Sequence, residues 1–320
     1  MKFAQLLLDQ KPTLAVAWKE GWIPISVLLP NHSADILTFL DENSAVREAL
    51  AKQLLRCTSL PAQAIPKEQA HYLAPILQPG SFRDAYAFRQ HVETSRRNRG
   101  LEMIPTFDEI PVFYFSNHRA IQGPGPVAVE AQHLRQLDYE LEVAIVIGKE
   151  GKNIRAAEAD AYIAGMMILN DLSARALQMQ EMKLNLGPAK GKDFASMFGP
   201  YLVTMDELSA FEVAPQKGHV GKAYSLDMKA YINGTLYSHG NLSDMHWTFA
   251  EIIERASYGV TLYPGDIIGS GTVGTGCLLE LNGTARLHNP EHKERWLQLG
   301  DEITLKVEAL GQLTNTIIEA

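Results

Sequence analysis

Leu137-Asp138-Tyr139-Glu140-Leu141-Glu142-Val143-Ala144-Ile145-Val146-Ile147-Gly148 is the stretch that decides the fold. It alternates at first and then runs continuously apolar, as a strand does when it passes from the edge of a core into its centre. Side chains two apart on a strand share a face and lie roughly 6.5–7 Å apart. Glu140 and Glu142 therefore point one way, and Tyr139, Leu141 and Val143 the other. Two like charges side by side at the mouth of a core strand repel. A divalent cation would remove that repulsion, and Mg2+ and Ca2+ want oxygen ligands of this kind. A strand face carrying two solvated glutamates is the competing reading, and this segment alone does not decide between them.

Outward from that strand, the chain keeps favouring β structure. Tyr162 to Leu169 is a second apolar run, and Ser225 to Ile232 and Thr235 to Ser238 flank Asn233-Gly234, a strong hairpin signal. Asp266 to Ser270, Leu278 to Leu281 and Ile303 to Val307 read as further strands. Ala156 to Ala161, Ala174 to Lys183 and Thr248 to Ala256 read as helices. No regular β-α alternation is present, which argues against a doubly wound parallel sheet. The expectation is a mixed, β-rich α+β fold, mostly antiparallel, with a few helices outside it. Residues 1 to 75 differ: short apolar pieces mix with helix-like stretches near Ala34 to Leu40 and Ala45 to Leu55. Pro61 to Pro66 reads as a linker. The chain thus divides into a small N-terminal domain, 1–75, and a larger domain, 76–320.

Composition narrows the function. Hydrophobic residues at 46% and charged residues at 21% exclude low-complexity disorder. A net charge of -8 makes a poor sequence-independent binder of phosphate backbones. No apolar run approaches the roughly 18–20 residues that span a bilayer, and no secretory segment opens the chain, so a cytoplasmic protein is expected. The two cysteines, Cys57 and Cys277, cannot make a disulfide framework or a cysteine metal site.

Four more segments carry chemistry. In Asn170-Asp171-Leu172-Ser173-Ala174-Arg175, Asp171 ends an apolar run before a helix; it is a helix cap or a ligand at a strand end. Ser81 to His91 holds Asp84, Tyr86 and His91 together, and a helix would place Asp84, Phe88 and His91 near one face. Arg96, Arg97 and Arg99 follow, as a solvated basic face or a carboxylate-binding loop. Gly187 to Phe194 brings Lys190 and Lys192 beside glycines without the spacing of a phosphate-binding Walker loop. Gly269-Ser270-Gly271-Thr272-Val273-Gly274 matches a dinucleotide fingerprint literally. The Leu278 to Leu281 strand expected after it, where a helix should open, argues against that reading. Glu280 is the interior carboxylate of that strand, suited to hold an imidazole.

Taken in order, these motifs resemble the fumarylacetoacetate hydrolase family, from about Pro79 to the C-terminus. The motifs are Asp84-x-Tyr86-x4-His91, Asp138-x-Glu140-x-Glu142, Asn170-Asp171-x-Ser173-Ala174-Arg175, Gly191-Lys192-x-Phe194, Asn241-x-Ser243-Asp244-Met245 and Leu262-x-Pro264-Gly265-Asp266-x-Ile268-x-Ser270-Gly271-Thr272. The resemblance implies a β-roll or β-sandwich catalytic domain and a homodimer. It implies a divalent metal, Mg2+ or Ca2+ with Mn2+ also able to bind, on Asp84, Glu140, Glu142 and Asp171. It implies His91 as a base paired with Glu280, and Lys192 as the catalytic lysine. Tyr86, Arg99, Tyr114, Gln178 and Thr272 fall at substrate-contact positions. Met182 departs from the family by replacing a tyrosine, and Arg99 is only the nearest equivalent of the substrate arginine. The implied activity is hydrolysis of a carbon–carbon bond in a 1,3-diketo acid, fumarylacetoacetate or acylpyruvate-like, in aromatic amino acid catabolism. A metal-enolate lyase or isomerase, decarboxylating or tautomerising an oxo acid, is the alternative, and a non-catalytic metal-binding homologue a third.

Overall fold

A computed structural model describes residues 1–32, 35–41 and 44–320. The apolar patterning of the sequence resolves into two main sheets, beside three small two-stranded ones. The first uses β1 (Lys2–Leu8), β2 (Lys11–Trp18), β3 (Gly21–Pro24), β4 (Ile65–Pro66), β5 (Phe82–Ala85) and β6 (Phe113–Phe115). Further along the chain come β7 (Gly125–Val129), β8 (Leu141–Ile147), β9 (Ile163–Asp171), β10 (Ser196–Thr204), β11 (Asp227–Ile232) and β12 (Thr235–Asn241). The last strands are β13 (Ile267–Gly269), β14 (Glu302–Val307) and β15 (Gly311–Glu319). The larger sheet runs β4-β3-β2-β1-β10-β9-β8-β13-β5-β6, and the smaller β12-β11-β14-β15-β7.

The deciding stretch sits near the centre of the larger sheet. Every residue of β8 is buried, because β9 and β13 flank it on both sides. Leu141, Val143, Ile145 and Ile147 enter the main core, while Ala144 and Val146 enter a second core on the other face. That division is the period of two read from the sequence. Almost all pairings are antiparallel; β13 with β5 and β15 with β7 are parallel. Asn233 and Gly234, with φ of 50° and 77°, turn the expected hairpin between β11 and β12. Both need the left-handed region, which asparagine and glycine tolerate best.

The helices that matter are α1 (Ala45–Arg56), α2 (Arg89–Arg97), α3 (Arg175–Glu181), α4 (Phe249–Ser257) and α5 (Leu278–His288). The three helical stretches expected after residue 76 all contain helix. The Ala34 to Leu40 stretch holds a short 3-10 turn, Ile36–Phe39, and Ala34 itself lies outside the described residues. No helix among the described residues is long and apolar enough to cross a membrane.

Two expectations need correction. Leu278 to Leu281 is not a strand but the start of α5. The Asp138 carboxylate accepts the N–H groups of Leu278 at 2.7 Å and Leu279 at 3.0 Å, and so starts the helix. The nucleotide reading therefore fails for another reason. A helix does open after the glycine loop, but a protein carboxylate already occupies its N-terminal donors. Ser81 to His91 is not one helix either: Asp84 lies on β5 and His91 on α2. The large sheet takes strands from both sides of the expected boundary near residue 75. Lys2 and Phe3 of β1 pair with Val203 and Leu202 of β10. Phe3, Leu14, Val16 and Ile25 share a core with Phe82, Ala144 and Phe198.

Candidate functional site

Strand register gathers the acidic residues. Asp84 on β5 pairs in parallel with Gly269 of β13, which pairs in turn with Ala144 of β8. Glu142 on β8 lies opposite Leu169 of β9, two residues before Asp171. Glu140 immediately precedes β8, and its N–H donates to the Asn170 side chain at 3.2 Å. One carboxylate oxygen each from Asp84, Glu140, Glu142 and Asp171 lie within 4.8 Å of one another, and all four residues are buried. Gly269 is where it is because a Cβ there would press into the Asp84 carboxylate.

The surroundings set the charges. Lys192 enters the cluster, donating to Glu140 and, at 2.6 Å, to Asp171. Arg175 donates to Glu140 at 2.7 Å and to Asp138 at 2.9 Å. Burial pushes Asp84 up to about 7, with the Asp171 carboxylate adding to it and Lys192 opposing. Burial, then the charges of Asp84, Glu140 and Asp171, hold Glu142 well above the usual carboxylate range. Burial also raises Asp171, against Lys192. Glu140 goes the other way: burial would raise it, but Lys192, Arg175 and His91 outweigh that and lower it. Burial opposes the charge on Lys192, yet Asp171 and Glu140 together raise its pKa.

These residues fit a divalent cation. Among the described residues, five buried carboxylates, counting Asp138, face two buried cations, Lys192 and Arg175, and the Glu142 Oε2 atom meets no donor. An all-oxygen donor set suits a hard cation such as Mg2+, Ca2+ or Mn2+. Asp84, Glu140, Glu142 and Asp171 would hold it.

Beside the cluster stands the expected pair. His91 Nδ1 lies 2.8 Å from Glu280 Oε2, both side chains almost fully buried. A carboxylate can only accept, so Nδ1 carries the proton and Nε2 is left as the basic nitrogen. A ring nitrogen of His91 comes within 4.8 Å of a Glu140 oxygen and the Cys277 sulfur, so the pair borders the cluster. Burial, with the Asp138 charge adding to it, pushes the Cys277 thiol well up, so it is not a nucleophile.

A cavity of about 530 Å³ takes in the cluster, His91 and the expected contact residues Tyr86, Arg99, Tyr114, Gln178 and Thr272. Their roles divide. The Tyr114 hydroxyl, with one proton to donate, lies 2.5 Å from an Asp171 oxygen and 3.1 Å from an Asp84 oxygen, and Thr272 donates to Glu142 at 3.2 Å. Both therefore hold carboxylates as well as lining the cavity. Tyr86 stands edge-on to His91 with ring centres 5.9 Å apart. Gln178 accepts from Arg175 at 3.0 Å, leaving its amide N–H2 as a donor. Arg99 reaches the cavity with its Nε bonded to the Ser95 carbonyl. Arg286, on α5, also lines it.

Asp138, Arg175 and Ser196 also belong to the site, although no pattern in the sequence marks them as such. Asp138 and Arg175 stand inside the acidic motifs, two residues before Glu140 and four after Asp171. Their pairing across 37 residues is set by the fold, not by local spacing. Ser196, which donates to Asp171 at 3.2 Å, carries no sequence signal beyond its place at the start of β10.

Known proteins resemble this chain over most of its length. A mitochondrial oxaloacetate tautomerase of Bos taurus is 29% identical, over 93% of this chain and 84% of its own. A fumarylacetoacetase of Oryza sativa subsp. japonica is 27% identical, over 92% and 75%. The solved fumarylacetoacetate hydrolase of Exiguobacterium antarcticum shares the fold, with a TM-score of 0.72 at 23% identity over the whole of both chains. The family model of the fumarylacetoacetate (FAA) hydrolase C-terminal domain matches residues 81–318, which hold every residue of the cluster and of the His91–Glu280 pair. The chain belongs to the fumarylacetoacetate hydrolase family.

Proposed function

We propose that the protein hydrolyses a carbon–carbon bond in a short 1,3-diketo acid of the acylpyruvate or fumarylacetoacetate kind. One observation carries this reading: the buried His91–Glu280 pair, at 2.8 Å, shares a cavity with four clustered carboxylates. A bound divalent cation would supply Lewis-acid polarisation of the substrate carbonyls. His91 Nε2, with its ring held by Glu280, takes a proton from a water that attacks the acyl carbonyl. Gln178, Lys192 and Arg99 offer donors to the oxyanion that forms. The bond between the acyl carbon and its neighbour then breaks, leaving a carboxylic acid and the enolate of a 2-oxo acid. Lys192 or a water protonates that enolate.

A second reading, oxo-acid tautomerisation, is favoured by the oxaloacetate tautomerase relative, which covers almost the whole chain. It uses the same enolate but needs no attacking water. Acetylpyruvate in oxygen-18 water, with Mg2+ or Mn2+, separates the two. Hydrolysis yields pyruvate and acetate carrying the label. No cleavage, together with fast equilibration of enol oxaloacetate, overturns the hydrolase reading in favour of the tautomerase. His91→Ala should lower hydrolysis by about 10²–10⁴. A variant that keeps wild-type rates removes His91 as the base.

A further inference from the structure

Lys192 reaches the carboxylates from a tight turn, and the backbone of that turn is held at several points. The N–H groups of Lys192 and Asp193 donate to the Ala189 carbonyl at 2.9 and 3.0 Å, and Ala174 donates to the Gly191 carbonyl at 2.8 Å. One side chain grips the turn from outside. Glu181 Oε2 accepts from the N–H groups of Ala189 at 3.1 Å and Gly191 at 3.2 Å, and Oε1 accepts from Lys190 at 2.6 Å. Three successive backbone donors before the lysine thus end on one carboxylate.

Glu181 is the last residue of α3, and the same helix faces the site at every third position. Arg175 holds Glu140, Gln178 abuts Gly191, and Glu181 holds the turn. Gly191 has no room to move inward: a Cβ there would lie 2.7 Å from Gln178 Cβ and 2.8 Å from its backbone nitrogen. Gln178 blocks the turn from moving closer to α3, and the Glu181 carboxylate of the same helix keeps it from moving away. The grip also closes the base of the intervening loop, where Met182, Gly187 and Pro188 line the cavity.

We propose that Glu181 is the positioning residue for Lys192, fixing the Lys192 ammonium where it meets Glu140, Asp171 and the reacting oxygen. This rests on the proposed function for its kinetic consequence, not for its geometry. A misplacement of about 1 Å at a reacting group costs on the order of 10²-fold in rate.

The test compares Glu181→Ala and Glu181→Gln with the wild-type chain, using acetylpyruvate and Mn2+. Glu181→Ala should lose about 10- to 100-fold in kcat with KM held within about twofold. Glu181→Gln keeps one carbonyl acceptor and should recover part of that loss, with thermal midpoints unchanged in both. Hydrogen exchange at the amides of residues 189–191 should speed up in Glu181→Ala. Wild-type kcat or unchanged exchange in Glu181→Ala overturns the proposal. Equal losses in both variants with a lowered midpoint also overturn it, because they show a general structural role. If the wild-type chain turns over no diketo acid, the proposed function fails and the exchange measurement alone decides the grip.

Discussion

Glu142 is wholly buried, and its Oε2 atom has no donor among the described residues. Three other carboxylates surround it, with Lys192 the nearest compensation. Removing its charge relieves repulsion in chelated protein and removes a ligand in loaded protein. Glu142→Gln should therefore unfold at the same temperature as the wild-type chain or higher after chelation. Added Mn2+ should stabilise the wild-type chain by about 2.7 kcal/mol at a hundredfold excess over Kd, and the variant far less. Calorimetric melts with and without Mn2+ check both halves. A variant that is less stable under chelation and equally stabilised by metal would remove Glu142 from the donor set. The shared face of Glu140 and Glu142 was legible because a strand repeats every two residues. The cage was not, since Asp84 and Asp171 join it through sheet pairing. The family motifs named all four, but only the pairing explains why they meet.

At the scale of elements, local chemistry was readable where it was strong. Asn233-Gly234 announced a hairpin, and the structure adds an anchor to it. Asn233 Nδ2 donates to Asp301 at 2.8 Å, and Arg295 and the Gln298 N–H donate to the same carboxylate at 2.6 and 2.8 Å. Burial would raise the Asp301 pKa, but these donors outweigh it and lower it. A carboxyl depressed in the folded state adds stability above its unfolded pKa, near 4, and loses it as pH falls through the folded value. Asp301→Asn should thus destabilise by about 1–3 kcal/mol at pH 7, and the gap to the wild-type chain should narrow below about pH 4. Urea unfolding at both pH values measures it, and a gap that widens in acid contradicts the assignment. The α5 helix was misread because Cys277 to Leu281 is short, apolar and broken by one carboxylate, a pattern that strand and helix share. Its start depends on Asp138, 140 residues earlier in the chain.

For the whole molecule, the same limit applies to the expected boundary near residue 75. Residues 1–75 look distinct in composition, and Pro61 to Pro66 looks like a linker. Yet β1 continues the large sheet beyond β10, and α1 and its neighbours cover the face that carries Ala144 and Val146. Nothing local signals that a terminal hairpin pairs with a strand some 200 residues away. The consequence concerns the strands that build the site. Asp171 and Ser196 face each other across β9 and β10, and without β1 the far end of β10, at Leu202 and Val203, would lose its partner, while Ile121 and Gln122 still pair at Ser196 and Met197. Phe82, next but one to Asp84, packs edge-on to Phe198 with ring centres 5.2 Å apart, in the core that Phe3, Leu14 and Ile25 complete. Removing residues 1–75 strips that core of most of one wall and bares its apolar face, the condition for aggregation. The fragment 76–320 should therefore fail to give soluble protein with a cooperative melt, while the full chain does both. Circular dichroism melts and gel filtration of the two chains decide it. A soluble, cooperatively folding 76–320 fragment that binds Mn2+ would instead make residue 75 a boundary between domains.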